Sequence, residues 1–413
     1  MPATLAETLV DDRIDFEELS KSYRPVLQMV DILIGVVPNC DPYLEIWPAG
    51  FRTYNLMVPN FLNLPNMLVG QGAPKDLVGL GMYMSSRAAE CNYCSAHTCS
   101  FALRRGSTPE AITGEERTDA EAAVVALAEG LSTMPHTYDP KLADEVENHL
   151  GPDNTAWVAM GAAMMGFLNK FMDALGVELE AEAVNDVAAL IEPTGWEVGQ
   201  HNWAEPDLAA DEDAEGPGND SIWTFLKVGR NAPGAVRLER QWMKGIPKKA
   251  EKLQPYIADN FGYDEPLLAL LRHDKPRRAL AAMLRHNLDP EQSAIGIGAK
   301  ALTGLIFANY AGNDYLGMKA RDLARHHGVG EAAIELVGRY HPEIDTVAAG
   351  IDQTTAAALM VAQATSPSPA AVDDAVIEAA TSFLTPAQRV EVVVWVSVCQ
   401  LLHRLSLFHG LAR

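Results

Sequence analysis

The sequence repeats itself, and this repeat limits the possible folds more than any other feature of the chain. A first alignment of the chain with itself pairs Gly106 with Gly328, and a second alignment, further along, pairs Pro135 with Pro369. Glycines, prolines and apolar positions match in the same order in the two halves, as expected of duplicated units. The change of register between the two alignments predicts a net insertion in the second copy, in the loop at residues 339–350. We therefore predict two related domains in one chain.

The spacing of apolar residues predicts the class of fold. Few stretches alternate between apolar and polar residues, whereas alanine-rich segments such as 119–131 carry the helical period. The longest apolar runs, 156–168 and 392–399, are shorter than the ~20 residues needed to cross a bilayer and are typical of buried core helices. The sequence therefore predicts an all-α protein.

The predicted boundary between the two helical domains lies in an acidic segment. Residues 205–220 contain seven acidic residues together with two prolines and two glycines, a composition typical of a solvated linker. We predict a first domain at residues 1–204, a linker at 205–225 and a second domain at 226–413. A basic stretch at 227–252 is interpreted as a solvated face or interdomain segment or, alternatively, as a patch for an acidic substrate or partner.

The net charge disfavours several classes of partner. The 413 residues carry a formal charge of −23, which argues against binding to nucleic acid or to an anionic membrane, because both attract a basic surface. Small molecules or proteins are the expected partners. The N-terminal residues lack a basic stretch followed by an apolar core, which is the pattern of a secretory signal. We therefore expect a cytoplasmic protein.

One cluster of residues in the first half carries recognisable chemistry. Cys91, Cys94 and His97 lie within seven residues, and the proline-free segment 77–105 predicts one continuous helix that places them on neighbouring positions. An imidazole beside a thiol can accept its proton or stabilise the thiolate, which is the form that attacks peroxides and disulfides. Two other interpretations stay open, namely part of a zinc site, for which a second cysteine pair is missing, and inert buried cysteines.

The corresponding positions of the second half have lost this chemistry. In the first alignment, Asn313, Leu316 and Lys319 pair with the two cysteines and the histidine. We predict one active half and one half kept as a packing partner, which would supply the contacts that a second subunit otherwise makes.

Two separated motifs resemble those of a known family. Residues 86–97, which begin Ser-Arg and end Cys-Asn-Tyr-Cys-Ser-Ala-His, resemble the thiol motif of the carboxymuconolactone decarboxylase and alkylhydroperoxidase D superfamily. Residues 166–176, Gly-Phe-Leu-Asn-Lys-Phe-Met-Asp-Ala-Leu-Gly, are similar to its closing helix. The resemblance covers residues 20–205 directly and residues 250–413 through the repeat. It implies an all-helical fold that assembles into trimers or hexamers, so we expect a homo-oligomer.

The resemblance also implies a reaction. Redox members of that superfamily reduce organic hydroperoxides: the second cysteine attacks the peroxide, the first cysteine resolves the product, and a glutamate and a histidine relay protons. Carried over to this sequence, Cys94 is the peroxidatic cysteine and Cys91 the resolving one. No metal or organic cofactor is implied, and the expected reductant is a dithiol protein or a lipoyl group.

The proton relay departs from the superfamily pattern. The relay histidine usually stands four residues after the second cysteine, where this chain has Thr98, and His97 is the candidate substitute. The superfamily glutamate would fall at Gly79, which leaves Glu90 and Asp76 as candidate carboxylates. We therefore add His97 and Glu90 to the two cysteines as the predicted catalytic residues.

Three functions follow from these observations. The leading hypothesis is a thiol-dependent oxidoreductase that reduces hydroperoxides through a dithiol–disulfide cycle. The second is a cofactor-free lyase or isomerase acting on a lactone or related acid, in which proton transfer in an apolar pocket does the work and the thiols are spectators. The third is a redox sensor or structural partner without turnover.

Overall fold

The computed structural model describes residues 4–72, 74–204, 217–218, 220–339 and 350–412. Within these residues all regular structure is helical and no strand is present, which confirms the predicted all-α class. Most of the predicted acidic linker and most of the predicted insertion loop lie outside the described residues, so those two assignments stay predictions.

Ten α-helices precede the acidic segment. Their bounds are α1 Phe16–Ile34, α2 Cys40–Leu44, α3 Pro48–Phe61, α4 Lys75–Ala88, α5 Asn92–Arg104, α6 Pro109–Thr113, α7 Asp119–Ser132, α8 Pro140–Leu175, α9 Ala181–Asn185 and α10 Ala188–Ile191. Short 3₁₀ turns lie at Glu7–Leu9, Asn66–Val69, Glu192–Thr194 and Gly199–Asn202.

Ten further α-helices follow among the described residues. Their bounds are α11 Ile222–Trp242, α12 Leu253–Phe261, α13 Leu267–Leu270, α14 Asp274–Leu288, α15 Ile297–Tyr310, α16 Asp314–His326, α17 Glu331–Gly338, α18 Gln353–Thr365, α19 Asp374–Phe383 and α20 Pro386–Phe408. A 3₁₀ turn at Ala250–Lys252 precedes α12.

Helix bounds in the two halves agree with the two alignments found in the sequence. In the first alignment both ends of α4 and of α5 fall on the ends of α15 and of α16, and in the second the start of α7 falls on the start of α18. The long helix α8 bends at Gly151, whose backbone is not helical (φ 72°, ψ 165°). At the matching place the chain leaves α19 and starts α20 at Pro386. A glycine with left-handed backbone follows each of these two long helices, Gly176 after α8 and Gly410 after α20.

The two halves share one hydrophobic core. Helix α8 packs along α20, and α3 packs along α14, so that buried residues of both halves form one continuous cluster. Among the described residues, α20 is long and apolar enough to cross a membrane by length and composition, and its apolar stretch is completely buried inside the protein. This burial fits the prediction that 392–399 belongs to a core helix.

The prediction of one continuous helix through the cysteines is wrong. Helix α4 ends at Ala88 and α5 begins at Asn92, with Glu90 in the left-handed region (φ 54°) between them. The helical period continues across this turn because both helices bury apolar residues in the same core, and no glycine or proline marks the break. The turn makes α4 and α5 an antiparallel pair, with Cys91 at the junction.

Candidate thiol site

The turn before α5 gives the first cysteine a special position. Cys91 is the residue that caps α5, with extended backbone (φ −87°, ψ 98°), and its sulfur accepts a hydrogen bond from the Cys94 amide at 3.4 Å. The unpaired amides of a helix N-terminus stabilise negative charge. The turn therefore places the Cys91 sulfur beside the unpaired amides at the start of α5, which a position inside a continuous helix would not do.

The second cysteine lies one turn into α5 beside the first. Cys91 is fully buried and Cys94 is 4 % exposed, and all five cysteines of the chain are free thiols. The two side chains are in hydrogen-bond contact, and burial, with smaller contributions from Cys91 and Cys40, raises the pKa of Cys94 well above its ordinary value. At neutral pH Cys94 is therefore a thiol, and its reaction as a nucleophile requires a group that takes its proton.

His97, three residues beyond Cys94 on α5, is held by a buried carboxylate. His97 Nε2 lies 2.8 Å from Glu180 Oε2, and both side chains are almost fully buried. The other carboxylate oxygen accepts hydrogen bonds from the Tyr93 hydroxyl at 2.8 Å and from the Asn39 amide at 2.5 Å. Burial tends to raise the pKa of Glu180, but His97 and these two donors together hold it below its ordinary value. Glu180 is therefore held as a carboxylate beside the imidazole.

Glu180 is the residue that the sequence analysis missed. It lies 83 residues beyond His97, in the extended segment between α8 and α9. This segment is anchored by Trp203, whose indole donates to the Gly176 carbonyl at 2.8 Å, and by His201, whose Nδ1 lies 2.6 Å from the Val177 carbonyl. No spacing near the cysteines indicates a carboxylate so far along the chain.

The positions at which the superfamily places its relay are closed to that role. A Cβ atom at Gly79 would come within 2.8 Å of the Ala102 backbone, because α4 and α5 touch there, so no glutamate fits. The Thr98 hydroxyl donates to the Cys94 carbonyl at 2.6 Å, and its oxygen lies 3.2 Å from the Ser86 hydroxyl oxygen. Thr98 is therefore engaged with its own helix and its neighbour.

The structure does not bring Glu90 to the histidine. Glu90 is exposed in the turn between α4 and α5 and lines a polar groove with Asp173, Trp196 and Gln200. Trp196 is held there by a 2.9 Å hydrogen bond from its indole to the Asn92 carbonyl. Asp76, the other candidate carboxylate, lies in the first turn of α4, at the opposite end of that helix from the cysteines.

Cys94 and His97 face an apolar cavity of about 80 Å³ between α1, α3, α4, α5 and α8. Its polar groups come from Tyr54, Tyr93 and Thr98 together with the thiol and the imidazole, and the rest of its wall is aliphatic, aromatic or thioether. Those other lining residues are Val30, Leu33, Ile34, Pro38, Val58, Leu62, Met82, Phe101, Met164, Met165, Leu168 and Met172. The flexible methionines suit an apolar ligand of variable shape.

A buried cation from the second half lies near the thiols. Arg404 of α20 is 1 % exposed and packs against Gly166, where a Cβ would come within 3.0 Å of its side chain. Its guanidinium donates to the Ala162 carbonyl at 2.8 Å, its Nε has no partner, and no carboxylate forms an ion pair with it among the described residues. Burial lowers the pKa of Arg404 to about 9, opposed by the charges of Cys94 and Cys91.

A second buried cation belongs to the first half but is held by the second. The ammonium of Lys170 donates to the Ser366 carbonyl at 2.9 Å and to the Ser368 hydroxyl at 2.8 Å. Burial lowers the pKa of Lys170 to about 7, while Asp173 and Cys91 act in the opposite direction. One basic group from each half therefore lies near the thiols, while Asp173 acts on Cys94 in the opposite direction.

The counterpart of the thiol turn in the second half has a similar backbone. Asn313 caps α16 (φ −106°, ψ 92°), and its side chain accepts a hydrogen bond from the Leu316 amide at 3.0 Å. The Tyr315 hydroxyl donates to the buried carboxylate of Glu265. Lys319 takes the place of His97 in this half, and its Nζ lies 3.8 Å from Asp264 Oδ2. The residues of this turn, all of them described, include no thiol.

Comparison with known proteins does not identify a family for this chain. No protein-family model and no curated protein matches the chain. Among solved structures, the chain is similar to the debrominase Bmp8 without ligand, with 21% sequence identity and a TM-score of 0.38 over 44% of this chain and 95% of that one. A cysteine-to-alanine variant of Bmp8 in complex with 2,3,4-tribromopyrrole matches over the same shares, with 20% identity and a TM-score of 0.38. Neither match identifies a family for this chain.

Proposed function

We propose that the chain is a thiol oxidoreductase that reduces organic hydroperoxides, with Cys94 as the attacking thiol and Cys91 as the resolving one. The observation that carries the proposal is the shared wall of the apolar cavity: Cys94 and His97 both face it, and His97 is bound to the buried Glu180 at 2.8 Å. A nucleophile and a proton carrier in an apolar cavity are the parts that peroxide reduction requires.

The proposed reaction has three steps. His97 takes the Cys94 proton, and the thiolate attacks the distal peroxide oxygen. This breaks the O–O bond and leaves a sulfenic acid on Cys94, while His97 returns the proton to the alkoxide to give an alcohol. The Cys91 thiol then attacks the sulfenic sulfur, releasing water and forming a disulfide. A dithiol, either a protein or a lipoyl group, reduces this disulfide and is itself oxidised.

The electrostatic surroundings support this division of roles. Cys91, at the N-terminus of α5, is in hydrogen-bond contact with the Cys94 side chain and is therefore placed to form the disulfide with it. Arg404 and Lys170 add positive charge near the pair. Glu180 keeps the proton of the imidazole available, which Glu90 is not placed to do.

The proposal also includes a gene duplication, membership of a superfamily, a cellular location and an oligomeric state. Helix bounds that agree with both self-alignments of the sequence support a duplication. We propose a tandem member of the carboxymuconolactone decarboxylase and alkylhydroperoxidase D superfamily, in which the second half has lost its thiols. The matching N-caps of Cys91 and Asn313 favour the same conclusion. A cytoplasmic location and assembly into homo-oligomers belong to this proposal.

One observation favours a second function. The His97–Glu180 pair in an apolar cavity could move protons on a bound lactone or related acid without the thiols, as a lyase or isomerase does. Turnover of such a substrate by a Cys91→Ser/Cys94→Ser double variant would support this alternative. The thiol mechanism requires that the double variant be inactive toward peroxides.

The decisive experiment measures hydroperoxide consumption with a dithiol reductant. We expect Cys94→Ser to lower kcat/KM by on the order of 10³-fold, because the nucleophile is lost. We expect Cys91→Ser to accumulate a sulfenic acid that dimedone traps on Cys94. Cys399→Ser is the matched control, since it changes a buried free thiol that lies in the second half, outside the thiol site. Wild-type protein that consumes no hydroperoxide, or a fully active Cys94→Ser variant, would contradict the proposal.

A further inference from the structure

A second apolar cavity lies directly beside the first. It has a volume of about 80 Å³ and lies between α1, α3, the following turn and α11. Its wall is formed by Val26, Met29, Val30, Leu33, Asn55, Val58, Pro59, Leu64, Pro65, Ala232, Ala235, Val236, Glu239 and Trp242. None of these residues has a role in the mechanism proposed above.

Three side chains separate the two cavities. Val30, Leu33 and Val58 line both of them, the first two from α1 and the third from α3. Leu33 is 5 % exposed and has apolar space on each side. Rotation of these aliphatic side chains would join the two cavities without movement of the backbone. One apolar partition is thus all that separates the thiol's cavity from the second one.

The polar groups of the second cavity are already engaged. The Asn55 amide donates to the Phe51 carbonyl at 3.0 Å, and Glu239 accepts from the Asn60 amide at 3.1 Å. The remaining wall offers apolar surface, with the Trp242 indole at one end. Apolar surface of this kind selects ligands by length and shape, because burial of each methylene group contributes separately.

One side of the second cavity is formed by the basic segment that the sequence analysis interpreted as a solvated face or interdomain segment or, alternatively, as a patch for an acidic substrate or partner. Helix α11 crosses α1 where a Cβ at Gly234 would come within 2.7 Å of the Pro25 ring. This close approach places Ala232 and Ala235 over the cavity, while Arg237 and Gln241 are exposed on the outside of the same helix. The small alanine side chains leave the space that larger residues would fill.

We infer that the two cavities bind one extended alkyl chain, with the reacting group at Cys94 and the tail beneath α1 and α11. The ligand class is a neutral, long-chain alkyl compound; resting on the proposed function, the substrate is a long-chain alkyl hydroperoxide. A short peroxide occupies only the first cavity, which holds Cys94 and His97. A longer chain passes the Val30–Leu33–Val58 partition and gains apolar contacts in the second.

Binding of unreactive alcohols tests the site without chemistry. Calorimetric titration with straight-chain alcohols from butanol to decanol should show Kd falling roughly two- to fourfold per added methylene in the wild type. Ala235→Trp fills the second cavity and should stop this gain at the shorter alcohols. Gln241→Trp, which adds the same side chain on the exposed side of α11, should leave the series unchanged. The wild-type series decides the matter even if Ala235→Trp fails to fold.

The outcomes separate this inference from the proposed function. A Kd that does not depend on chain length, or identical series for Ala235→Trp and Gln241→Trp, would overturn the inference. Parallel assays of butyl and decyl hydroperoxide consumption then test the reaction. Chain-length-dependent alcohol binding without peroxide consumption leaves the binding site in place and removes the peroxidase function. Peroxide consumption with no preference for the longer chain leaves the peroxidase function in place and removes the inference.

Discussion

The turns before α5 and before α16 have similar backbones and different chemistry. Each is capped by a side chain that accepts a hydrogen bond from the amide three residues on, Cys91 in one half and Asn313 in the other. Each helix then presents a tyrosine whose hydroxyl donates to a buried glutamate, Tyr93 to Glu180 and Tyr315 to Glu265. The second half has this frame without the thiols, so the frame alone confers no thiol reactivity.

The two glutamates differ because of what surrounds them. Glu180 faces His97, and this contact, with the hydrogen bonds it accepts, holds its pKa below the ordinary value despite burial. Glu265 has no histidine partner among the described residues, and burial raises its pKa to about 7, although Tyr315 and the Leu267 amide oppose the shift. The same tyrosine–glutamate contact therefore holds a charged carboxylate in the first half and a readily protonated one in the second.

Within this comparison of the two halves, the largest expected effect comes from neutralising the two glutamates in turn. Glu180→Gln should lower kcat/KM for hydroperoxides by on the order of 10²-fold, because His97 loses the charge that supports proton transfer. Glu265→Gln removes the matching carboxylate and should leave turnover within about twofold of the wild type, since no reacting group lies beside it. Steady-state kinetics of both variants check this. Equal losses in the two variants would show that the contact matters for folding rather than for chemistry.

The two contacts should also give opposite pH dependences of stability. For Glu265 the folded pKa of about 7 lies above the ordinary 4.5. Its contribution to the free energy of unfolding, at most about 3 kcal/mol, is therefore complete below pH ~4.5 and is lost as the pH rises through ~7. For Glu180 the folded pKa is lowered, so its contribution is present above the ordinary value and is lost as pH falls through the folded pKa.

Urea unfolding of the wild type and both variants between pH ~2 and ~8 measures this difference. Glu265→Gln should remove the loss of stability between pH ~4.5 and ~7, whereas Glu180→Gln should flatten the acid side of the curve. Curves that keep the wild-type shape in both variants would mean that neither carboxylate titrates as its surroundings require.

The contribution of the second half to the site can be separated through Arg404. Arg404→Met removes a buried cation near the thiols and should lower the rate of Cys94 alkylation by iodoacetamide about tenfold at fixed pH, because the thiolate becomes less stable. Arg404→Lys should restore part of the rate. Arg389→Met is the control, since Arg389 lies on the same helix, donates to the Thr8 carbonyl at 3.0 Å and does not act on the thiols.

The alkylation measurement requires mass spectrometry to locate the label. Since burial raises the pKa of Cys94 well above its ordinary value, the rate should also rise continuously with pH through the neutral range and beyond. A plateau near pH 7, or equal effects of Arg404→Met and Arg389→Met, would count against a role for Arg404.

The smallest expected effect concerns the turn itself. Glu90 has a left-handed backbone (φ 54°), and its counterpart in the second half is Gly312 (φ 60°). Glu90→Gly relieves the strain of a side chain in that region but adds freedom to the unfolded chain, so we expect the free energy of unfolding to rise by only about 0.5 kcal/mol. Turnover should stay unchanged, because Glu90 lies apart from Cys94 and His97. A loss of turnover with intact folding would return Glu90 to the catalytic residues.

Much of the local architecture could be predicted from the sequence. The helical period indicated an all-α chain, and the two self-alignments agree with helix bounds such as those of α4 and α15. Cys91, Cys94 and His97 are close in space because they are close along the chain. The break at Glu90 was not predictable, since both helices bury apolar residues in one core and the period continues across the turn.

The sequence by itself determined the helices, their order and the grouping of thiols with a histidine, because these depend on neighbours within one or two turns. Only the tertiary structure decided which carboxylate serves the histidine, which position has no room for one, and which cation lies near the thiols. Glu180, Gly79 and Arg404 owe these roles to contacts between segments distant along the chain. Protonation depends on burial and on every charge packed nearby, so it emerges only when the helices are assembled.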